Sequence, residues 1–197
     1  QNLICEVMEV VRGGKEATVF RCRAGSPKGP AFFAAKVYRP AQRRSFRSAG
    51  TYENGRVITS GRVRRAVANG SEFGRQAEQH LWIAAEYATQ NLLHDAGVSV
   101  PKPISISGSA ILMEWIGDRQ HPAPQLRHAE LSAQQATAAL HSLLADVEHM
   151  LDFHRIHADL SPFNILYWAG QPRIIDFPQA VDARMNRNAY PLLCRDL

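Results

Sequence analysis

From His157 to Asp176 the chain sets polar residues at fixed spacing between short apolar runs, and few local structures accommodate that order. His157-Ala158-Asp159-Leu160-Ser161-Pro162-Phe163-Asn164 is followed by Ile165-Leu166-Tyr167-Trp168, by Ala169-Gly170, and by Arg173-Ile174-Ile175-Asp176. Two β-prone runs around a glycine turn predict a hairpin. Such a hairpin returns Asp176 to the side of Asn164, so an amide and a carboxylate meet without long-range pairing. Hard oxygen ligands of this kind suit Mg²⁺, which keeps several waters and takes its other oxygens from phosphates.

The order H-x-D, four residues, N, then an apolar run ending in Asp is the layout of phosphoryl transfer from ATP. In it Asp159 sits beside an attacking hydroxyl, while Asn164 and Asp176 hold the metal. Each fragment also has an ordinary reading, since Asp-Leu-Ser can cap a helix and short polar spacings recur in loops. The amino-terminal half adds the remaining parts in sequence. Cys5 to Val11 and Ala17 to Arg23 read as strands around Arg12-Gly13-Gly14-Lys15-Glu16, a lid for a triphosphate. Gly13 and Gly14 permit close backbone approach and Lys15 adds positive charge, although glycine pairs also make plain hairpin turns. Phe32 to Tyr38 is an apolar strand holding one lysine. Lys36 either snorkels to water or, if buried, requires anionic partners, namely phosphate oxygens and a glutamate. Glu72 to Asp95 predicts a helix with Leu81, Ala85, Ala88 and Leu92 as its apolar stripe and Gly97 beyond its end. Glu86, next to that stripe, is the first candidate partner of Lys36; Glu78 is the rival, and a solvated surface role is the alternative for both.

Gly14-Lys15-Glu16-Ala17, Ala35-Lys36-Val37-Tyr38, Met113-Glu114-Trp115-Ile116-Gly117, His157-Ala158-Asp159-Leu160-Ser161 and Ile175-Asp176-Phe177-Pro178-Gln179-Ala180 together resemble the RIO family of atypical serine/threonine protein kinases, from about residue 4 to the last residue. Ala123-Pro124-Gln125-Leu126 and the terminal Arg195-Asp196-Leu197 resemble stretches of bacterial-type members. The resemblance implies an α+β, bilobal, protein-kinase-like fold: an antiparallel amino-terminal sheet with one helix, and a mostly helical carboxyl lobe, here truncated. It implies an amino lobe over 1–113, a hinge over 114–117 and a carboxyl lobe over 118–197. It further implies that Lys36 binds ATP phosphates, that Glu86 holds Lys36, and that the backbone of Glu114 and Ile116 meets the adenine edge. Asp159 becomes the catalytic aspartate, with Asn164 and Asp176 on Mg²⁺ and Asp176 a candidate for phosphorylation in an ATPase cycle. The lid departs from many members, which carry a small hydroxyl residue before Gly14 where this chain has Arg12-Gly13.

Composition fits an ordinary globular chain, with 45% hydrophobic and 21% charged residues over 197. No apolar run is long enough to span a bilayer. Cys5, Cys22 and Cys194 are widely spaced, which reads as reduced thiols and a cytoplasmic protein. The net charge of +5 is concentrated at Arg39, Arg43, Arg44, Arg47, Arg56, Arg62, Arg64 and Arg65. That stretch, about 39–70 and rich in glycine, reads as a solvated basic loop or as a contact for RNA phosphates or a ribonucleoprotein. In the middle, Ile104 to Ile106 and Ala110 to Met113 predict a hairpin at Gly108-Ser109. Ser132 with Gln135 predicts a capping box opening a helix whose stripe is Ala136, Leu140, Leu143, Val147, Met150 and His154. His149 and His154 miss the i+4 step of a metal pair, and His157 reads as a backbone brace of the catalytic loop.

Three functions fit. The first is Mg²⁺- and ATP-dependent phosphoryl transfer to protein serine or threonine, the protein itself included, or ATP hydrolysis. The second is a small-molecule kinase of the aminoglycoside or choline type, which shares the Asp-Asn-Asp layout. The third is a nucleotide-gated module on a ribonucleoprotein with little turnover. The Gly-Lys-Glu-Ala lid and Pro178-Gln179 favour the first.

Overall fold

Runs of β-branched and aromatic residues build the first strands, and their pairing makes one sheet. The computed structural model describes residues 2–40, 65 and 67–197. Most of the basic stretch, including Arg43, Arg44, Arg47, Arg56, Arg62 and Arg64, lies outside the described residues. Strands β1 (Ile4–Gly13), β2 (Ala17–Ala24), β3 (Phe32–Tyr38), β4 (Pro103–Ser107) and β5 (Ala110–Glu114) form an antiparallel sheet in the order β1-β2-β3-β5-β4. The central strand β3 is almost wholly buried, as its Phe-Phe-Ala-Ala composition allows. The outer strand β1 shifts register against β2 three times. Such bulges twist an exposed edge away from further pairing.

Helix α1 (Glu72–Asp95) ends at Gly97, whose φ of 86° suits glycine, and the Val98 N–H returns to the Leu93 carbonyl. Its buried face differs from the predicted Leu81-Ala85-Ala88-Leu92 stripe. Gln79, Ile83, Glu86, Gln90 and Leu93 are buried, whereas Leu81 is exposed. The reason is polar satisfaction: Gln79 Nε2 donates to the Arg39 carbonyl and Gln90 Nε2 to the Pro101 carbonyl, each at 2.8 Å. A face built of bonded amides escapes a search for apolar spacing.

Helix α2 (Ala133–Asp152) opens on the capping box of Ser132 and Gln135. Its buried residues are Ala139, Asp146 and Met150; of the predicted stripe Met150 is buried and Leu143 packs on the core, whereas Leu140 is 55% exposed and His154 lies beyond the helix. Asp146 occupies the core face because its Oδ1 accepts from the Ser99 N–H at 3.0 Å. Beyond α2, strands β6 (Arg155–Ile156) and β9 (Val181–Asp182) pair, as do β7 (Ile165–Trp168) and β8 (Gln171–Ile174). Helix α3 (Ala189–Asp196) follows.

The chain forms two compact units. Among the described residues, the first comprises 2–40, 65, 67–87 and 103–115, and the second 88–102 and 116–197. The first has a core of Ala17, Tyr38, Ile83 and Ile111. The second has two: Leu93, Val98, Val100, Met150, Ile174 and Phe177, and a smaller group of Ile156, Ala158, Val181 and Leu192.

Candidate active site

In the first unit, β3 presents Lys36 and Tyr38 two residues apart, on one face of a strand. Lys36 is 9% exposed, and its Nζ lies 2.6 Å from Oε1 of Glu86 on α1. Of the two glutamates considered, the structure pairs Glu86 with the lysine. The Tyr38 hydroxyl donates to the other oxygen, Oε2. Burial first, then the charge of Glu86, pushes the Tyr38 phenol far above its ordinary range, so it stays a donor.

The Gly13-Gly14-Lys15 segment, expected as a lid, forms the β1–β2 turn, where the Gly14 N–H donates to the Ala17 carbonyl at 2.8 Å. Gly13, Gly14 and Lys15 are exposed. Neither glycine stands in the left-handed region, and a Cβ on Gly13 would meet no atom within 4 Å. The fold itself therefore places no steric demand for glycine at position 13.

Glu114 closes β5 opposite Phe33. Trp115 follows, and the Arg21 guanidinium lies 5.6 Å from its ring and 5.1 Å from that of Phe32. In the second unit, the Ile116 carbonyl accepts from the Ala123 N–H at 2.9 Å. Gly117, at φ 147°, bends so tightly that a Cβ would collide with the His121 carbonyl and lie 2.9 Å from Pro122 Cα.

The second unit gathers Asp159, Asn164 and Asp176. The β7–β8 hairpin turns at Ala169 and Gly170, with φ of 51° and 82°, the signature of a type I′ turn. It sets Ile165 opposite Ile174, and the Ile175 N–H donates to the Asn164 carbonyl at 2.9 Å. Asp176 follows directly. The buried Asn164 turns its amide nitrogen to Asp159, donating to Oδ2 at 3.0 Å and to the main-chain carbonyl at 2.9 Å. Both acceptors are oxygens, so the Asn164 side-chain oxygen faces elsewhere. That oxygen and the Asp176 carboxylate are hard donors that leave coordination positions to water and phosphate, which fits Mg²⁺. Among the described residues there is no cluster of three or more His, Cys, Asp or Glu to form a closed metal cage.

Two residues hold left-handed backbone here, Ala158 at φ 63° and Asp176 at φ 75°. Each costs about 1–2 kcal/mol for an L-residue, and such strain persists only where neighbours impose it. At Ala158 the neighbours are on α3. Asp196 accepts from the Ala158 N–H at 2.6 Å and the Leu160 N–H at 3.0 Å, and Arg195 donates to the Ala158 carbonyl. Asp159 is thus gripped from both sides while remaining exposed itself. The sequence marks Arg195-Asp196 only through its family resemblance and gives Tyr38 no place in the site. Neither role has a local signal, because each partner lies 36 to 48 residues away.

His157 is 1% exposed, and its Nε2 sits 3.1 Å from the Ile175 carbonyl, tying the loop of Asp159 to the strand of Asp176. Among the described residues Nδ1 has no hydrogen-bond partner. Burial lowers the ring's pKa, opposed by the Ile175 carbonyl and nearby carboxylates. A His with a depressed native pKa contributes fully above its ordinary 6.5 and loses that contribution as pH falls below it. Stability should therefore fall with a slope approaching about 1.4 kcal/mol per pH unit below pH 6.5 from this group. Chemical denaturation at several pH values checks it. His157→Gln, which keeps a donor and does not titrate, should flatten the slope, and an unchanged slope would reject the assignment.

A sequence profile of the RIO domain matches residues 18–197. Human serine/threonine-protein kinase RIO1 is 27% identical over 183 residues, 92% of this chain and 30% of that protein. RIO-type serine/threonine-protein kinase Rio1 of Methanocaldococcus jannaschii is 28% identical over 196 residues, 98% of this chain and 61% of the relative. Among solved structures, the Rio2 kinase–ADP/Mg²⁺–phosphoaspartate complex from Chaetomium thermophilum matches with TM-score 0.71 and 25% identity, covering 99% of this chain and 54% of that one. The chain spans less than two thirds of the length of each of these proteins. Its sheet, helices and hairpin are those of a protein-kinase-like α+β fold, and the chain belongs to the RIO domain family.

Proposed function

We propose that this chain carries out ATP- and Mg²⁺-dependent phosphoryl transfer to protein serine or threonine, itself included, or to water. The observation that supports this most is the Asp159-Asn164-Asp176 group, in which one amide orients an exposed carboxylate and turns its oxygen away. The relatives' names point the same way, and the small-molecule kinase and low-turnover readings have no comparable support. Mg²⁺ would be held by Asn164 and Asp176 and would offset charge developing on the transferred phosphoryl group. Asp159 would orient the attacking hydroxyl and take its proton, its Oδ2 already fixed by Asn164. Lys36 would bind the phosphates, with Glu86 keeping it in place. A buried ion pair adds little net stability, which favours a role for that cation in binding over a purely structural one. The Ile116 carbonyl is engaged by Ala123, so its N–H is the group it would offer to an adenine edge. Residues 1–113 and 118–197 would act as the two lobes about a hinge at 114–117.

Gly13→Ala tests the lid. The new methyl enters open space and should leave stability equal or up to about 1 kcal/mol higher. MgATP affinity should nevertheless drop roughly tenfold, about 1.4 kcal/mol, because the phosphates approach that backbone. Unaltered MgATP affinity would remove the lid from the site.

The solved Rio2 complex contains a phosphoaspartate, and we place the equivalent acceptor of this chain at Asp176. Label that neutral hydroxylamine releases would support it, and label that wholly resists hydroxylamine would refute it. The Arg39–Arg65 stretch would contact RNA or a ribonucleoprotein. Its affinity should fall roughly tenfold in K for each twofold rise in salt if three to four phosphates are neutralised, and the triple variant Arg62→Ala, Arg64→Ala, Arg65→Ala should bind more weakly with a shallower salt dependence. A salt-insensitive complex would dismiss it. No helix among the described residues is long and apolar enough to cross a membrane, and Cys5, Cys22 and Cys194 are all free. Both fit a cytoplasmic location.

A further inference from the structure

We propose that Tyr38 is a positioning residue of the phosphoryl-transfer site: its hydroxyl fixes the Glu86 carboxylate that in turn holds Lys36. The inference rests on the function proposed above. A carboxylate with one partner can pivot about its side-chain torsions, whereas donors on both oxygens fix its plane. Glu86 has both, Lys36 Nζ on Oε1 at 2.6 Å and the Tyr38 hydroxyl on Oε2. The two donors come from one strand at a spacing of two, so the sheet presents them to the helix as a rigid pair.

Tyr38 is itself immobilised. It is 3% exposed and packs with Ala17, Ile83 and Ile111. Its ring meets that of Trp82 edge-on at 5.3 Å, and Trp82 stands one helical turn before Glu86 on α1. Lys36 Nζ also lies 5.2 Å from the centre of the Tyr38 ring. The phenol therefore touches the lysine, its carboxylate and the helix carrying that carboxylate. Phenylalanine would fill the same volume. What only tyrosine adds is the donor, and it is aimed at a buried anion.

The test is a double-mutant cycle on MgATP affinity, with wild type, Tyr38→Phe, Glu86→Gln and the double variant, each verified as folded by circular dichroism and melting. Tyr38→Phe should weaken MgATP binding roughly ten- to a hundredfold, the range for losing a hydrogen bond to a charged group. In the Glu86→Gln background the same change should add less than twofold, because the carboxylate it orients is gone. A merely structural tyrosine would lower the melting temperature in both backgrounds and leave affinity unchanged. Wild-type affinity in Tyr38→Phe, or an equal loss in both backgrounds, overturns the inference. A wild type that binds no MgATP sinks the proposed function as well, which separates the two failures.

Discussion

Asp159→Asn is expected to lower phosphoryl transfer by roughly 10²- to 10⁴-fold while leaving MgATP affinity within about twofold. The substitution is nearly isosteric, and Asp159 is exposed, so the fold has little to lose. What disappears is the carboxylate that would orient the hydroxyl and accept its proton. The Asn164 amide now donates to Asp159 Oδ2, and it can still donate to an amide oxygen at that place. Asn164 and Asp176, the proposed metal ligands, keep their backbone setting through the β7–β8 hairpin. Transfer rate and nucleotide affinity should therefore separate. Loss of both together would mean that Asp159 binds the metal nucleotide rather than serving the acceptor.

Asp196→Ala should be nearly as damaging, although Asp196 itself touches neither proposed ligand. It removes both acceptors of the Ala158 and Leu160 N–H groups. Hydrogen bonds to a charged group contribute about 1.5–3 kcal/mol each, so a loss of about 3–6 kcal/mol in stability of the second unit is expected. The strain at Ala158 is then released, and Asp159 moves with it. At temperatures where the variant stays folded, transfer should fall at least tenfold, since small misplacement of a catalytic group is costly. Ala158→Gly should restore part of the stability, because glycine adopts φ near 63° without penalty. Thermal melts and transfer rates of the single and double variants measure both effects. Unchanged stability in Asp196→Ala would show that the α3 grip does not hold the loop.

Local rules carried the reading far where partners lie close in sequence. The helix from Glu72 to Asp95, the capping box at Ser132 and the turn at Ala169-Gly170 each follow from residues within a few positions of one another. Apolar spacing finds only part of the buried faces of α1 and α2: Met150 is buried and Leu143 packs on the core as expected, but Leu81 and Leu140 are exposed. Gln79, Glu86, Gln90 and Asp146 are buried by hydrogen bonds that no periodicity records. Glu86 pairs with Lys36 from the centre of the buried face of α1, not from beside it as the apolar spacing implies. Tyr38 and Asp196 escaped because their partners are distant in sequence. Only the folded sheet, helix and loop bring them to the carboxylate and the backbone they serve.

The most direct measurement follows the γ-phosphate. With γ-labelled ATP and Mg²⁺, the account predicts label on protein serine, on an aspartyl group or in free phosphate, with each lost in Asp159→Asn or Asp176→Asn. ATP that stays intact and unbound by the wild-type chain would contradict it, as would label passing to a small-molecule acceptor while protein and water receive none.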